Sequence, residues 1–309
     1  MTKYYRKKIV LFKLEDTYGV DPTPTGAANA ILTTEFKWMP MEGNDVSRDL
    51  EQPHMGAQGT IPTELHAKIT FNVELSPSGV AGTAPAWGPL LRACGVAETI
   101  VVDTSVTYNP VSDGHESSTL YFGLDGTKYV SHGARGTCTL DFTAQGIPYL
   151  RFEFTGLFSV PVELAMDAPV LTAFKKPQVV SDTNTTFDLD GTALILRKLA
   201  LNLGNSVETS FLVGEEMVDI TGKEDAVEFT VKAVPLTSFN PYAAALSDDD
   251  LPLSLVHGKT AGRIATLALP KIEIQRPQSL EDVSGKVEWP LRAQALPTTG
   301  NDQWTLTLT

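Results

Sequence analysis

The sequence contains little cysteine and histidine, and acidic residues outnumber basic ones. Its 309 residues include 2 Cys and 5 His, and 37 Asp and Glu against 24 Lys and Arg give a formal net charge of -13 at pH 7. Cys94 and Cys138 form no CxxC or Cys/His spacing, so we expect two buried free thiols instead of a disulfide. The acidic balance excludes a surface built to neutralise nucleic-acid phosphates.

Long apolar runs are also absent. No stretch approaches the roughly 20 apolar residues that span a bilayer. The basic segment 1–8 is followed by only four apolar residues, 9–12, whereas a signal peptide needs a longer apolar region. We therefore expect synthesis in the cytoplasm and no membrane partner.

Motifs for catalysis and cofactor binding are absent as well. The sequence has no GxSxG, GxxxxGKS/T, GxGxxG or HExxH motif, and no two of its histidines are three or four residues apart. We therefore predict no catalytic residue, no metal ligand and no cofactor.

Short stretches that alternate apolar and polar residues run along the whole chain. Such alternation is typical of strands with one buried face, and 24 Gly and 20 Pro leave little room for long helices. Two short helices are predicted, at 85–95 and 240–246, because each begins next to proline. The predicted strands are 8–14, 69–75, 99–108, 119–124, 137–142, 150–154, 193–203, 227–234, 264–274, 286–293 and 304–308.

The order of these patterns repeats at about half the chain length. Gly43-Asn44-Asp45-Val46 is matched by Gly204-Asn205-Ser206-Val207, which lies 161 residues later. The alternating run that contains Phe71 is matched by the run that contains Phe229, 158 residues later. A repeat of this length favours two tandem domains of similar fold, although short β patterns also match by chance.

We therefore predict a mainly β protein of two tandem β-sandwich or half-barrel domains, each with one short flanking helix. The domains are 1–165 and 186–309, separated by a linker at 166–185 that is rich in proline and polar residues.

Two long segments at matched positions, 42–62 and 205–221, alternate poorly, and loops of this length are usually functional or disordered. We predict that they are arms that become ordered against a neighbouring subunit. The candidate arm residues are Glu42, Asp45, Arg48, Glu51, Glu208 and Glu215.

Carboxylates recur on the polar side of the predicted strands. Alternation places them opposite apolar side chains such as Phe71 and Phe229, so one sheet face is a core and the other is acidic and wet. A plain solvent-facing surface explains this pattern, and so does the wall of a water-filled channel. The candidates for lining a channel are Glu74, Asp141, Glu153, Glu228, Glu273 and Glu288.

One segment carries a resemblance to a known family. Residues 82–95, with the sequence Gly-Thr-Ala-Pro-Ala-Trp-Gly-Pro-Leu-Leu-Arg-Ala-Cys-Gly, lie between the region 42–75 and the strand-rich stretch 121–158. This arrangement resembles the major tail tube proteins of long-tailed bacteriophages over most of residues 1–165 and, through the repeat, over the second half. The resemblance implies a β-sandwich with a flanking helix. Subunits of this family join their sheets into rings, and the rings stack into a hollow tube for DNA.

The resemblance also implies partners and a location. The protein would contact copies of itself and the terminator, tape measure and distal tail proteins, and DNA would pass through an acidic lumen without specific binding. It would be made in the host bacterial cytoplasm and end in the virion tail. Most tail tube proteins have one tube domain and form hexamers. Two domains per chain favour a homotrimer with pseudo-sixfold symmetry over a hexamer.

Two other classes of function stay open. A β-rich adhesin or carbohydrate-binding module would need a cluster of aromatic side chains, but the tryptophans lie apart in sequence, at Trp38, Trp87, Trp289 and Trp304. A hydrolase whose site assembles only in the fold is the third possibility. Of the three, we predict a structural tail tube subunit without enzymatic activity.

Overall fold

The computed structural model describes residues 2–165, 168–247 and 250–309. Strands make up 52% of the chain and helices 3%, and the main sheet curls into a half-barrel. The prediction of a mainly β fold is therefore confirmed. Within the described ranges, no helix has the length and apolar character that a membrane crossing requires.

The first half of the chain consists of strands around one short helix. The elements are β1 Lys8–Leu14, β2 Ala30–Ile31, β3 Thr34–Ser47, β4 Thr60–Glu74, α1 Gly88–Arg92, β5 Val96–Val101, β6 Ser105–Pro110, β7 Ser118–Leu124, β8 Thr127–Thr143, β9 Tyr149–Phe158 and β10 Val162–Glu163.

The second half follows the same plan. Its elements are β11 Thr185–Leu189, β12 Thr192–Ala193, β13 Leu196–Asn202, β14 Asn205–Leu212, β15 Glu215–Lys223, β16 Ala226–Lys232, α2 Pro241–Ala244, β17 Leu251–His257, β18 Ala265–Ile274, β19 Glu281–Val283, β20 Lys286–Ala295 and β21 Thr305–Leu308.

Local sequence explains where the core and the helices lie. In β4, Ile69, Phe71 and Val73 are buried and the polar residues between them are not, as alternation requires. The helix α2 begins where Asn240 accepts hydrogen bonds from the amides of Tyr242 and Ala243. Both predicted helices are present, each shorter than predicted.

Two predicted strands are each divided in the structure. The stretch 99–108 forms parts of β5 and β6, because Asp103 adopts a φ of 56° and Thr104 N donates to Val101 O at 3.0 Å, which closes a turn. The stretch 193–203 is divided between β12 and β13, and Ile195 between them is exposed. Alternation does not reveal the second break, because Leu194 and Ile195 are both apolar.

The two halves pair their strands in the same order. In the first half the order is β1–β7–β8–β9–β4–β3, and in the second half it is β11–β17–β18–β20–β16–β13. All these pairs are antiparallel, and the corresponding strands also follow one another in the same sequence along the chain. The order of strands therefore repeats along with the sequence pattern.

Strand pairing and a common core join the halves. β13 of the second half pairs with the C-terminal end of β8, and β21 pairs with both β6 and β18. Val180, inside the predicted linker, is buried in the core cluster that contains residues of both halves. The division of the chain into two domains by a linker at 166–185 therefore stays a prediction. The two halves are in close contact with one another.

Candidate assembly surfaces and the polar sheet face

One sheet runs without interruption from the first half into the second. Its strand order is β3–β4–β9–β8–β13–β16–β20–β19. One end is β3, and the other is β19 with the segment 275–280 that leads into it. In the part of the chain that the structure describes, β3 pairs only with β4 and β19 only with β20. Both ends of the sheet are therefore open edges.

The polar face of this sheet brings several predicted channel residues together. Glu74, Asp141 and Glu228 lie in one row across six strands, and the other members of that row are Tyr149, Ala200 and Arg292. Glu273 lies in the next row, opposite Gln294. Glu153 and Glu288 lie further from this row, on β9 and β20.

Arginines form ion pairs with Asp141 and Glu228 of this row. Arg151 Nε donates to Asp141 Oδ2 at 3.0 Å, and Arg292 Nε lies 3.1 Å from Glu228 Oε1. Ion pairs this exposed contribute little to stability. Their consequence is electrostatic, because a guanidinium already paired with a carboxylate presents less free positive charge to a passing phosphate.

Glu288 differs from the other five carboxylates because it is buried. Arg197 Nη2 donates to Glu288 Oε1 at 2.5 Å, and this hydrogen bond lowers the pKa of Glu288. A carboxyl with a lowered pKa stabilises the fold above the ordinary glutamate pKa, and the contribution disappears as the pH falls through the lowered value. Glu288 therefore has a structural partner within the chain.

Cations that were not predicted from the sequence lie on the same face. Lys68, Arg151, Lys198 and Arg292 lie on strands β4, β9, β13 and β20 among the predicted channel residues. Alternation could have found them, because Lys68 and Glu74 lie an even number of residues apart on β4. The face thus carries both signs of charge, and an acidic lumen stays a prediction.

The predicted arm 42–62, called the first hairpin below, has paired strands at both ends and an irregular tip at 48–59. β3 and β4 remain paired as far as Ser47 opposite Thr60. Poor alternation in the sequence comes from register shifts on both sides of Glu42. Gly43 is required there, because a Cβ atom at this position would lie 2.5 Å from Thr63 O.

The first hairpin extends beyond the neighbouring strand and exposes apolar side chains. The pairing of β4 with β9 ends at His66. Further out, Val46 is 52% exposed, Ile61 is 54% exposed and Met55 is fully exposed. Contiguous exposed apolar surface is typical of interaction sites, and methionine adapts to irregular contacts.

The predicted arm 205–221, called the second hairpin below, is formed by β14 and β15 and is anchored on the first half. Arg135 of β8 donates from Nη1 to Val218 O at 2.8 Å and to Asp219 Oδ1 at 2.9 Å. Tyr18 Oη accepts a hydrogen bond from Val218 N at 2.6 Å. Ile220 is 8% exposed. The first half of the same chain therefore holds the second hairpin, and ordering of the two arms against another subunit stays a prediction.

The six candidate arm residues are all exposed, four on the first hairpin and two on the second. Glu208 lines a groove together with Glu153 of the polar sheet face and Lys68 of β4. Phe211 of the second hairpin lies 6.4 Å from the His66 ring, between ring centroids. The structure therefore brings the second hairpin beside the base of the first.

Replacing Arg135 with methionine is expected to loosen the second hairpin. The variant loses hydrogen bonds from a buried guanidinium, which are worth on the order of 2–3 kcal/mol of unfolding free energy. We also expect faster amide exchange at Val218, which chemical denaturation and hydrogen exchange together would detect. Arg151→Met is the control, because its exposed ion pair contributes at most about 1 kcal/mol. Equal effects of both variants would contradict the anchoring role of Arg135.

Other functional classes find little support in the structure. All four tryptophans lie within the described residues and none is exposed, so they form no surface platform for a carbohydrate. Cys94 and Cys138 are buried free thiols, and burial raises the pKa of each well above its ordinary value. Among the described residues, no group of His, Cys, Asp and Glu side chains is arranged to hold a metal ion.

The comparisons with known proteins agree with the resemblance found in the sequence. A search among curated proteins finds no match. The family model for phage tail tube proteins matches residues 6–301, which is nearly the whole chain and includes both halves. The protein is therefore a structural subunit of a bacteriophage tail, and it belongs to the phage tail tube protein family.

Proposed function

We propose that three copies of this chain form a ring of six similar tube units, and that rings stack into the tail tube. The observation that carries this proposal is the sheet β3–β4–β9–β8–β13–β16–β20–β19, in which two four-stranded units of matching order lie side by side within one chain. Each half of the chain contributes one unit, so the sequence is an internal duplication. A sixfold arrangement of units therefore needs three chains.

The open edges of the sheet support a closed ring. An unpaired edge strand exposes backbone donors and acceptors that readily pair with another chain. Because the two edges differ, the contact between copies is head-to-tail, and repeated head-to-tail contacts close into rings when the rotation permits. Closure into a barrel leaves no strand edge exposed.

In this ring the polar sheet face lines the lumen, and the first hairpin reaches neighbouring subunits. The apolar face is occupied by the core, so the polar face is the one available to line a water-filled channel. Glu74, Glu153 and Glu273 then repel DNA phosphates, while Asp141 and Glu228 restrain the nearby arginines. DNA passes through such a channel without specific binding.

Symmetry is the direct test of the ring. Native mass spectrometry of assembly intermediates is expected to show trimers, and a reconstruction of the tube by electron microscopy should show threefold rings with pseudo-sixfold appearance. The reason is that each chain supplies two tube units. A ring of six whole chains, or a purified protein that never forms rings, would contradict the proposal.

A further inference from the structure

Within one chain, the two tube units meet where β8 pairs with β13. The open edges of the sheet, β3 and β19, correspond to the two strands of this contact. Inside the chain, β13 lies beside the end of β8, with Ala200 opposite Asp141. The strand order makes β3 the counterpart of β13. It also makes β18 and β19, with the segment between them, the counterpart of β8.

Shared partners identify the counterpart of Ala200. Ala200 lies opposite Glu228 in β16, and Lys37 lies opposite Thr70 in β4. Thr70 directly precedes Phe71, and Glu228 directly precedes Phe229, the matching phenylalanine of the repeat. Lys37 therefore occupies on β3 the position that Ala200 occupies on β13.

The same reasoning identifies the counterpart of Asp141. Asp141 lies opposite Tyr149 in β9, and Glu281 lies opposite Glu288 in β20. Tyr149 lies three residues before Phe152, which pairs with Phe71. Glu288 lies three residues before Leu291, which pairs with Phe229. The two positions therefore match in the repeat. Glu281 therefore occupies the position of Asp141.

We propose that β3 of one copy pairs antiparallel with residues 279–283 of the next copy, with Lys37 opposite Glu281. This inference rests on the ring proposed above and adds the strands, the register and the side chains of the contact. Lys37 and Glu281 are both exposed and have opposite charges, and opposite charges directly across an antiparallel pair are favourable. The same register places Trp38 opposite Leu280.

Burial supports the inference independently of the pairing. Leu140, which directly precedes Asp141, is 0% exposed, whereas Leu280, which directly precedes Glu281, is 59% exposed. On the hairpins, Ile220 is 8% exposed and its counterpart Ile61 is 54% exposed. At each of these two positions, the half that faces the open edge exposes an apolar side chain, and the other half buries it. A second molecule of this protein is the partner that fits the exposed side chains.

Cysteine cross-linking in assembled tubes tests the register. The double variant Lys37→Cys, Glu281→Cys is expected to form disulfides between chains and to give linked dimers and trimers on a non-reducing gel, because paired positions in a sheet lie within disulfide distance. The matched control Ala200→Cys, Asp141→Cys should form its disulfide within one chain. The native Cys94 and Cys138 are 0% exposed and do not compete.

A second control separates this inference from the ring itself. Lys37→Cys with Glu273→Cys is out of register by eight residues and should give no linked species. If micrographs show threefold rings but the 37–281 pair stays unlinked while the 200–141 pair links, the register is wrong and the ring stands. If the wild-type protein forms no rings, the proposed function fails first.

Charge reversal provides a readout that does not depend on disulfide geometry. Lys37→Glu alone and Glu281→Lys alone each place like charges opposite one another, so both should slow tube assembly followed by light scattering. The combined variant restores opposite charges and should recover the wild-type rate. A combined variant as slow as the single variants would overturn the proposed pairing.

Discussion

Deleting residues 45–59 is expected to leave the protein folded and to abolish tube growth. The removed residues lie at the outer end of the first hairpin, and none of them is buried. Asn44 and Thr63 are paired in the intact hairpin, so the deletion leaves residues 60–62 as a three-residue loop between them, a length that β-hairpins accept. We expect the free energy of unfolding to change by about 0.5 kcal/mol or less, as for exposed positions generally.

Loss of assembly follows from the contacts that the deletion removes. Val46 and Met55 are among the exposed apolar residues of the hairpin, and in the second hairpin the matched region is held against the first half. Electron microscopy would show whether tubes form, and circular dichroism with thermal unfolding would show that the monomer is intact. Tubes of normal length from this variant would contradict the assignment of the first hairpin to assembly.

Replacing Glu74, Glu153 and Glu273 together with lysine is expected to allow tubes but to slow or block DNA ejection. These three carboxylates are chosen because the arginine ion pairs of the polar face use Asp141, Glu228 and Glu288. The new ammonium groups would bind phosphates inside a narrow channel, where fields of like charges reinforce one another. Fluorescence of a DNA-binding dye after triggered ejection would measure the rate.

Salt and a charge-matched control make this test specific. Binding of phosphates by lysine weakens as ionic strength rises, so the slowed ejection should recover in high salt. The control variant replaces Asp16, Asp113 and Asp182 with lysine. These residues are exposed and lie outside the long sheet. The control raises the net charge by the same amount and should leave the rate of DNA ejection unchanged. Ejection at the wild-type rate from the first variant would refute the electrostatic role of this face.

The sequence alone determined the β class, most strands and the side of each strand that faces the core. Alternation is a local property, so Phe71, Phe154 and Phe229 could be assigned to the core from their neighbours. The repeat predicted two similar halves, because each half carries the same series of strand, hairpin and helix signals. The family followed from one packing segment, residues 82–95, and the matching model covers nearly all of the chain.

Only the tertiary structure decided how the halves meet and which charges are paired. The contact of β13 with β8 and the hydrogen bond from Arg135 to Asp219 join residues 55 or more positions apart, and nothing in a local pattern indicates such a pair. Burial of Glu288 beneath Arg197 likewise depends on packing that alternation does not describe. Strand periodicity depends on neighbours along the chain, whereas sheet edges, ion pairs and anchored hairpins depend on which distant strands lie side by side.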